Sequence, residues 1–234
     1  MMRLIISLFG MMMSFLLNAQ VELLKRIPLR CSEPSDIVSS PDGKSFFVLA
    51  DKYRICEYSA SGEILSTKDM QSLDVEGVCF AGNKAFISEE TLQRIHVMDA
   101  TTMTELYTIP VHHGGGRNQG VEAITWIASD QTFLMSTEKN PQFFMEFDSS
   151  MNLKKTFQID GIDEVSAMTY SESHVYVLSD EDATLYRLNE VRNAIEKSWK
   201  LPVINPEGVC YKGDGVWIVV SDDAAQWVEL KLMN

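Results

Sequence analysis

Five short apolar stretches recur along the chain, each preceded by a turn sequence and followed by a small residue and, in most copies, an acid. The central members are Phe46–Leu49, Ala85–Ile87, Phe133–Met135, Val175–Leu178 and Val216–Val220. Period-two alternation with many β-branched and aromatic residues predicts strands. A sustained helical period is missing outside the first twenty residues, so the pattern predicts an all-β protein.

A second motif precedes each of these stretches and defines a long repeat. Its copies are Asp74-Val-Glu-Gly77, Val121-Glu-Ala-Ile124, Glu164-Val-Ser-Ala167 and Pro206-Glu-Gly208, with a weaker copy at Pro34-Ser-Asp36. Taking Ser35, Glu76, Glu122, Ser166 and Glu207 as equivalent, the spacings are 41, 46, 44 and 41 residues. Repeats of this length are typical of β-propellers, with one four-stranded sheet for each repeat.

The two ends of the chain indicate how the ring closes. The fifth repeat runs out after its third strand, at Leu232, whereas Glu22–Leu29 resembles the fourth strands of the other repeats. The sequence therefore predicts a five-bladed β-propeller over residues 20–234, whose last blade is completed by the N-terminal strand. The alternative is an open sandwich with coincidental repeats.

Propeller geometry brings the repeated acidic residues to one mouth of the central channel. The first strand of each blade lines the axis, so Glu76, Glu122 and Glu207 should converge, with Ser35 and Ser166 at the other two positions. Acids at the ends of the second strands should form an outer ring: Asp51, Glu89, Glu90, Glu138, Asp180, Glu181, Asp222 and Asp223. Six of them are predicted to bind a ligand: Glu89, Glu90, Glu138, Asp180, Glu181 and Asp222. Crowded carboxylates need a counter-charge, which here favours a hard divalent cation held by Glu76, Glu122 and Glu207. Calcium tolerates irregular oxygen shells better than magnesium does. The alternative is that these acids only tie blades together or lie in solvated loops.

The N-terminus and the charge balance restrict location and partners. Arg3 followed by an apolar run from Leu4 to Leu17 predicts a signal peptide over residues 1–19, and hence a periplasmic or secreted protein. An uncleaved membrane anchor is the alternative. The net charge of −13 disfavours nucleic acid and anionic lipid as partners.

Four cysteines follow the signal segment. Cys79 and Cys210 occupy the same repeat position, which predicts buried apolar roles. Export permits a disulfide, and Cys31 with Cys56 is then the better pair.

The ordered set of motifs, each followed by a small residue and acids, resembles the SdiA-regulated family. That resemblance spans nearly the whole mature chain and implies a five-bladed propeller similar to NHL-type propellers. It also implies a calcium site and an extracytoplasmic setting, without an established activity. Ala123 and Ala167 stand where the family usually has glycine.

Two functions remain open. The first is a non-enzymatic, calcium-stabilised binding module that takes a cationic or sugar-like ligand, or a protein segment, at the acidic mouth. The second is a metal-dependent hydrolase, similar to propeller lactonases and esterases, in which His112 or His113 acts as the base. These histidines lie in a Gly-rich loop before Gly120, which is equally consistent with a solvated crossover.

Overall fold

A computed structural model describes residues 21–111 and 120–233, and every regular element within these ranges is a β-strand. The strands are β1 Val21–Pro28, β2 Pro34–Ser39, β3 Ser45–Ala50, β4 Arg54–Ser59, β5 Ile64–Asp69, β6 Val75–Ala81, β7 Lys84–Glu89, β8 Arg94–Asp99, β9 Glu105–Pro110, β10 Ala123–Ile127, β11 Thr132–Ser136, β12 Phe144–Asp148, β13 Leu153–Phe157, β14 Ala167–Ser171, β15 His174–Ser179, β16 Thr184–Leu188, β17 Ile195–Lys200, β18 Pro206–Gly213, β19 Val216–Ser221 and β20 Gln226–Leu232. Within these ranges no helix has the length and apolar character needed to cross a bilayer.

The strands form five antiparallel sheets of four strands, which are the blades of a β-propeller. Blades one to four are β2–β5, β6–β9, β10–β13 and β14–β17, each in sequence order. Blade five has the order β18-β19-β20-β1, with Val21 opposite Leu232 and Pro28 opposite Gln226. The prediction of five blades closed by the N-terminal strand is confirmed.

Burial explains the hydrophobic pattern. The second strand of each blade has neighbouring blades on both faces, so β3, β11 and most of β7, β15 and β19 are buried. The fourth strands form the outer edge, and β5 and β13 are almost entirely accessible. The apolar core is accordingly divided into clusters between adjacent blades, such as the one between blades three and four that contains Leu134 and Val177.

Residues from the last and first blades meet around Trp227, which is fully buried on β20. Its ring lies 5.1 Å from that of Phe46 and 6.1 Å from that of Tyr58. The Tyr58 hydroxyl accepts hydrogen bonds from the backbone N–H groups of Arg30 and Cys31, at 3.1 Å each. Aromatic packing and hydrogen bonds therefore fasten the connection between β1 and β2 to blade one.

The cysteines divide as the repeat positions suggest. Cys79 and Cys210 are buried and free, whereas Cys31 and Cys56 form a disulfide with their Cα atoms 6.8 Å apart. The bridge joins the connection between the last and first blades to β4.

Close approach of the innermost strands requires small residues beside the axial acids. A Cβ added to Gly77 would lie 2.8 Å from the Glu122 carbonyl oxygen, and one added to Gly208 would lie 2.6 Å from the Cα of Asp36. Such distances are well inside van der Waals contact, so glycine lets neighbouring blades meet here. The same contact brings the backbones of Glu76 and Glu122 close together.

Candidate functional site

The acidic mouth is the end of the channel at which the innermost strands begin. We define it by nine carboxylates: Asp74, Glu76, Glu90, Glu122, Glu138, Glu164, Asp180, Glu207 and Asp222. They lie at or next to the starts of innermost strands or the ends of second strands, which meet at one face because adjacent strands are antiparallel. Acidic residues that recur along the sequence therefore lie together at one end of the channel.

Five of these carboxylates form two overlapping groups of three. Asp74, Glu76 and Glu90 each offer an oxygen within 4.8 Å of the others, and so do Glu90, Glu122 and Glu138. Glu90 belongs to both groups and joins them into one cluster, which we call the carboxylate cluster. Two of the three predicted metal ligands, Glu76 and Glu122, lie in it.

Burial and mutual repulsion strongly perturb the cluster. Burial, followed by the charges of Asp74, Glu90 and Glu207, raises the pKa of Glu76 to about 8. The same causes, with Glu76 and Glu138 as the leading charges, raise the pKa of Glu122 well above its ordinary value. The pKa of Glu90 is also raised, mainly by burial. Each of these groups therefore resists ionisation unless a positive charge comes close.

Two lysines flank the carboxylate cluster, one at each end. Lys52 Nζ lies 3.3 Å from Asp74 Oδ1, while Lys139 Nζ lies 2.9 Å from Glu138 and 2.8 Å from Glu181. Asp74 Oδ1 is buried and accepts no hydrogen bond from the described part of the chain. Two lysines beside five carboxylates leave the carboxylate cluster with excess negative charge when its acids are ionised.

Glu207, the third predicted metal ligand, lies beside the carboxylate cluster rather than within either group of three. It lines a cavity of about 390 Å³ together with Glu76, Asp222 and Ser35, the equivalent residue of blade one. Burial, followed by the charges of Asp180, Asp222 and Glu138, raises its pKa to about 8. The mouth thus has two adjoining parts, a tight cluster and an open acidic cavity.

Blade four contributes its carboxylate from an unexpected position. Ser166, the residue of this blade that is equivalent to Glu76, is buried, and its hydroxyl donates hydrogen bonds to the carbonyl oxygens of Leu178 and Pro206. Glu164, two residues earlier, is 3% exposed, and its Oε2 accepts a 2.6 Å hydrogen bond from the Ser179 hydroxyl. Burial and then Asp180 raise the pKa of Glu164 to about 8, although the Ser179 hydrogen bond opposes this. Asp74 occupies the corresponding position in blade two, two residues before Glu76. The sequence analysis missed this second acidic position, which lies two residues before the equivalent residues Glu76 and Ser166.

The model of the SdiA-regulated family matches residues 14–222, most of the chain. The chain belongs to the SdiA-regulated family. No curated protein matches this SdiA-regulated protein in sequence.

Among solved structures, the glutaminyl cyclase of Myxococcus xanthus superposes with a TM-score of 0.72 at 11% identity, covering 92% of this chain and 97% of that one. Structures of U3-55K and of the RRP9 WD40 repeats give TM-scores of 0.52 and 0.53 at 15% and 14% identity. Each alignment covers 88% of this chain and 62% of the other. At these identities the likeness shows the propeller fold alone.

The outer-ring acids of the SdiA-regulated propeller are not all turned to the axis. Glu90, Glu138, Asp180 and Asp222 lie at the mouth, and the exposed Glu181 pairs with Lys139. Asp51 pairs with Arg54 at 2.7 Å and accepts a hydrogen bond from the Ser32 hydroxyl at 2.6 Å.

Glu89 is fully buried within blade two, away from the carboxylate cluster. It accepts hydrogen bonds from the Leu73 backbone N–H at 2.9 Å and from Arg94 Nε at 2.5 Å, and it pairs with His96 Nε2 at 2.9 Å. Burial alone would raise the pKa of Glu89, but these partners together hold it below its usual value. Glu89 therefore stabilises a loop of the SdiA-regulated propeller.

The two histidines proposed as a catalytic base, His112 and His113, lie outside the described residues. His96 is fully buried between Glu89 and Glu105, and His174 pairs with Glu196 at 3.6 Å. Neither of these latter two histidines belongs to the acidic mouth.

Proposed function

We propose that this SdiA-regulated protein is an exported, calcium-binding propeller that acts as a non-enzymatic binding module through its acidic mouth. The observation that carries the proposal is the carboxylate cluster, in which two groups of three acids share Glu90. Its donors are oxygen atoms only, which suits a hard cation rather than zinc.

The shape of the carboxylate cluster favours calcium among the hard cations. Calcium accepts six to eight oxygens in irregular arrangements, whereas magnesium requires a near-ideal octahedron. Five carboxylates from four strand ends provide many oxygens without octahedral order. An ion here would also supply the positive charge that the buried Glu76 and Glu122 lack.

Two features support an extracytoplasmic location. Residues 1–19, which lie outside the described residues, have the sequence of a signal peptide. The Cys31–Cys56 disulfide is of the kind that persists in oxidising compartments.

Calcium titration tests the proposed site. In calorimetry on chelator-treated protein, Glu76→Gln and Glu122→Gln should each weaken calcium binding by roughly tenfold, because affinity follows the number of charged ligands. Lys52→Met should tighten it, since Lys52 competes for Asp74. Glu63→Gln, on an exposed turn at the opposite end of blade one, is the matched control and should leave affinity unchanged. Wild-type protein that neither retains metal nor gives heat with calcium would show that the cluster is structural.

A metal-dependent hydrolase is the second candidate, favoured by the fold likeness to a glutaminyl cyclase, which is an enzyme. On this hypothesis His112→Ala or His113→Ala should abolish turnover of an aryl ester or a lactone while leaving calcium affinity intact. Full turnover in both variants excludes these histidines as the base. Turnover that is absent from the wild type as well leaves the binding module as the function.

A further inference from the structure

Three large apolar side chains are exposed on neighbouring loops beside the acidic mouth. Tyr53 is 39% exposed, Leu73 is 60% exposed and Leu92 is 47% exposed. We call these three residues the apolar patch. Single exposed apolar residues are ordinary on a protein surface, whereas several on adjoining loops at one functional face indicate contact with a partner.

Backbone hydrogen bonds hold the three loops side by side. The Met70 N–H donates to the Tyr53 carbonyl at 2.7 Å, and the Val75 N–H donates to the Lys52 carbonyl at 3.0 Å. On the other side, the Glu90 N–H donates to the Asp74 carbonyl at 2.9 Å. The loop that carries Leu73 therefore lies between those that carry Tyr53 and Leu92.

The buried Glu89 network fixes Leu73 in its exposed position. Glu89 accepts from the Leu73 N–H, and Arg94, which pairs with Glu89, also donates to the Gln71 carbonyl at 3.3 Å. His96, buried between Glu89 and Glu105, completes this support. A preorganised apolar surface loses less conformational entropy when a partner binds than a mobile one does.

The acidic cavity adjoins this patch and is larger than an ion requires. Its volume of about 390 Å³ lies within the usual size of ligand sites, and its lining includes Glu33, Asp74, Glu207 and Asp222. The Lys52 ammonium reaches Asp74 at its edge, at 3.3 Å. A primary amine is therefore compatible with the chemistry of this cavity.

We propose that the acidic mouth docks a basic, amphipathic polypeptide segment. A lysine or arginine side chain of that segment enters the acidic cavity, and its apolar neighbours pack on Tyr53, Leu73 and Leu92. The charge of the mouth repels anionic partners, and a purely inorganic cation would leave the apolar patch unused. The inference rests on the proposed function in one respect only, the use of the acidic mouth as a binding face.

The probe is a synthetic peptide of alternating leucine and lysine, titrated by calorimetry into the full mature protein with calcium present. Leu73→Asn and Leu92→Asn should each weaken binding by about tenfold, the loss expected when a buried leucine contact is removed. Glu207→Gln should weaken it too, and added salt should lower affinity further. The matched controls are Leu153→Asn and Val191→Asn. These two residues are 56% and 63% exposed and lie at the opposite face, so each substitution should change affinity less than twofold.

Two further peptides separate the ionic contribution to binding from the apolar contribution. Replacing the lysines by glutamate should abolish binding, and replacing the leucines by serine should weaken it at least tenfold. Equal binding of the serine peptide, or unchanged binding to the Leu73 and Leu92 variants, would overturn the proposal because attraction would then be ionic alone. Absence of binding by the leucine–lysine peptide would overturn it as well. Calcium titration of the two leucine variants keeps this result distinct from the calcium proposal, since neither leucine belongs to the carboxylate cluster.

Discussion

Raising the pH from 5 to 9 in the presence of chelator should lower the thermal unfolding midpoint by about 10 °C. The reason is that the folded protein raises the pKa of Glu76, Glu164 and Glu207 to about 8, from the ordinary value of 4.5. Between these values the folded state holds more protons than the unfolded state. The stability that these three carboxyl groups contribute is therefore fully present below about pH 4.5 and is lost as the pH rises through 8.

Calcium should remove most of this pH dependence. On the calcium proposal, the cation would bind the ionised carboxylates of the folded state, so its stabilising effect by mass action should be largest at high pH and small at pH 5. Differential scanning calorimetry across pH, with chelator and then with millimolar calcium, measures both trends. Carboxylates with lowered pKa values, such as Glu89 and Glu146, titrate below this window.

The Glu76→Gln/Glu207→Gln variant is the control for the pH series. Neutral amides at these positions should flatten the fall in unfolding midpoint, and calcium should stabilise this variant less than the wild type. An unfolding midpoint that rises with pH in chelator would contradict the electrostatic description of the acidic mouth.

Loss of the Cys31–Cys56 disulfide should reduce the free energy of unfolding by about 3.5 kcal/mol, the loop-closure value for a separation of 25 residues. The bridge restrains the unfolded chain at the passage from the last blade to the first, where Trp227 and Tyr58 are also packed. Guanidinium unfolding of Cys31→Ser/Cys56→Ser measures the change.

Reductant provides the comparison for the disulfide variant. It should destabilise the wild type to a similar extent and leave the double variant unaffected, while Cys79→Ala should keep the sensitivity to reductant. A double variant as stable as the oxidised wild type would mean that the bridge adds no stability.

The repeat made the fold predictable from the sequence. The five equivalent positions Ser35, Glu76, Glu122, Ser166 and Glu207 indicated the number of blades, and the similarity of Glu22–Leu29 to other fourth strands indicated the closure. These features recur with the repeat, and the wholly apolar second strands are the ones buried on both faces.

The acidic mouth was less predictable because it depends on the ends of strands. Adjacent residues of a strand point to opposite faces, so Glu90 reaches the carboxylate cluster whereas Glu89 turns into blade two. The pairing of β6 with β7 also shifts register between Val75 and Val78, next to Glu76. Asp74 and Glu164 were missed as members of the mouth because equivalence was assigned to one position of each motif.

Pairing of β1 with β20 has a consequence for biosynthesis. The partners Val21 and Leu232 lie at opposite ends of the described sequence, so ribosomes release the second strand of this pair long after the first. Until then β1 has an unsatisfied edge, and the ring has a gap between its last and first blades. Completion of the ring is thus postponed until β20 has been synthesised, so the last blade closes only after the other four blades have their strands.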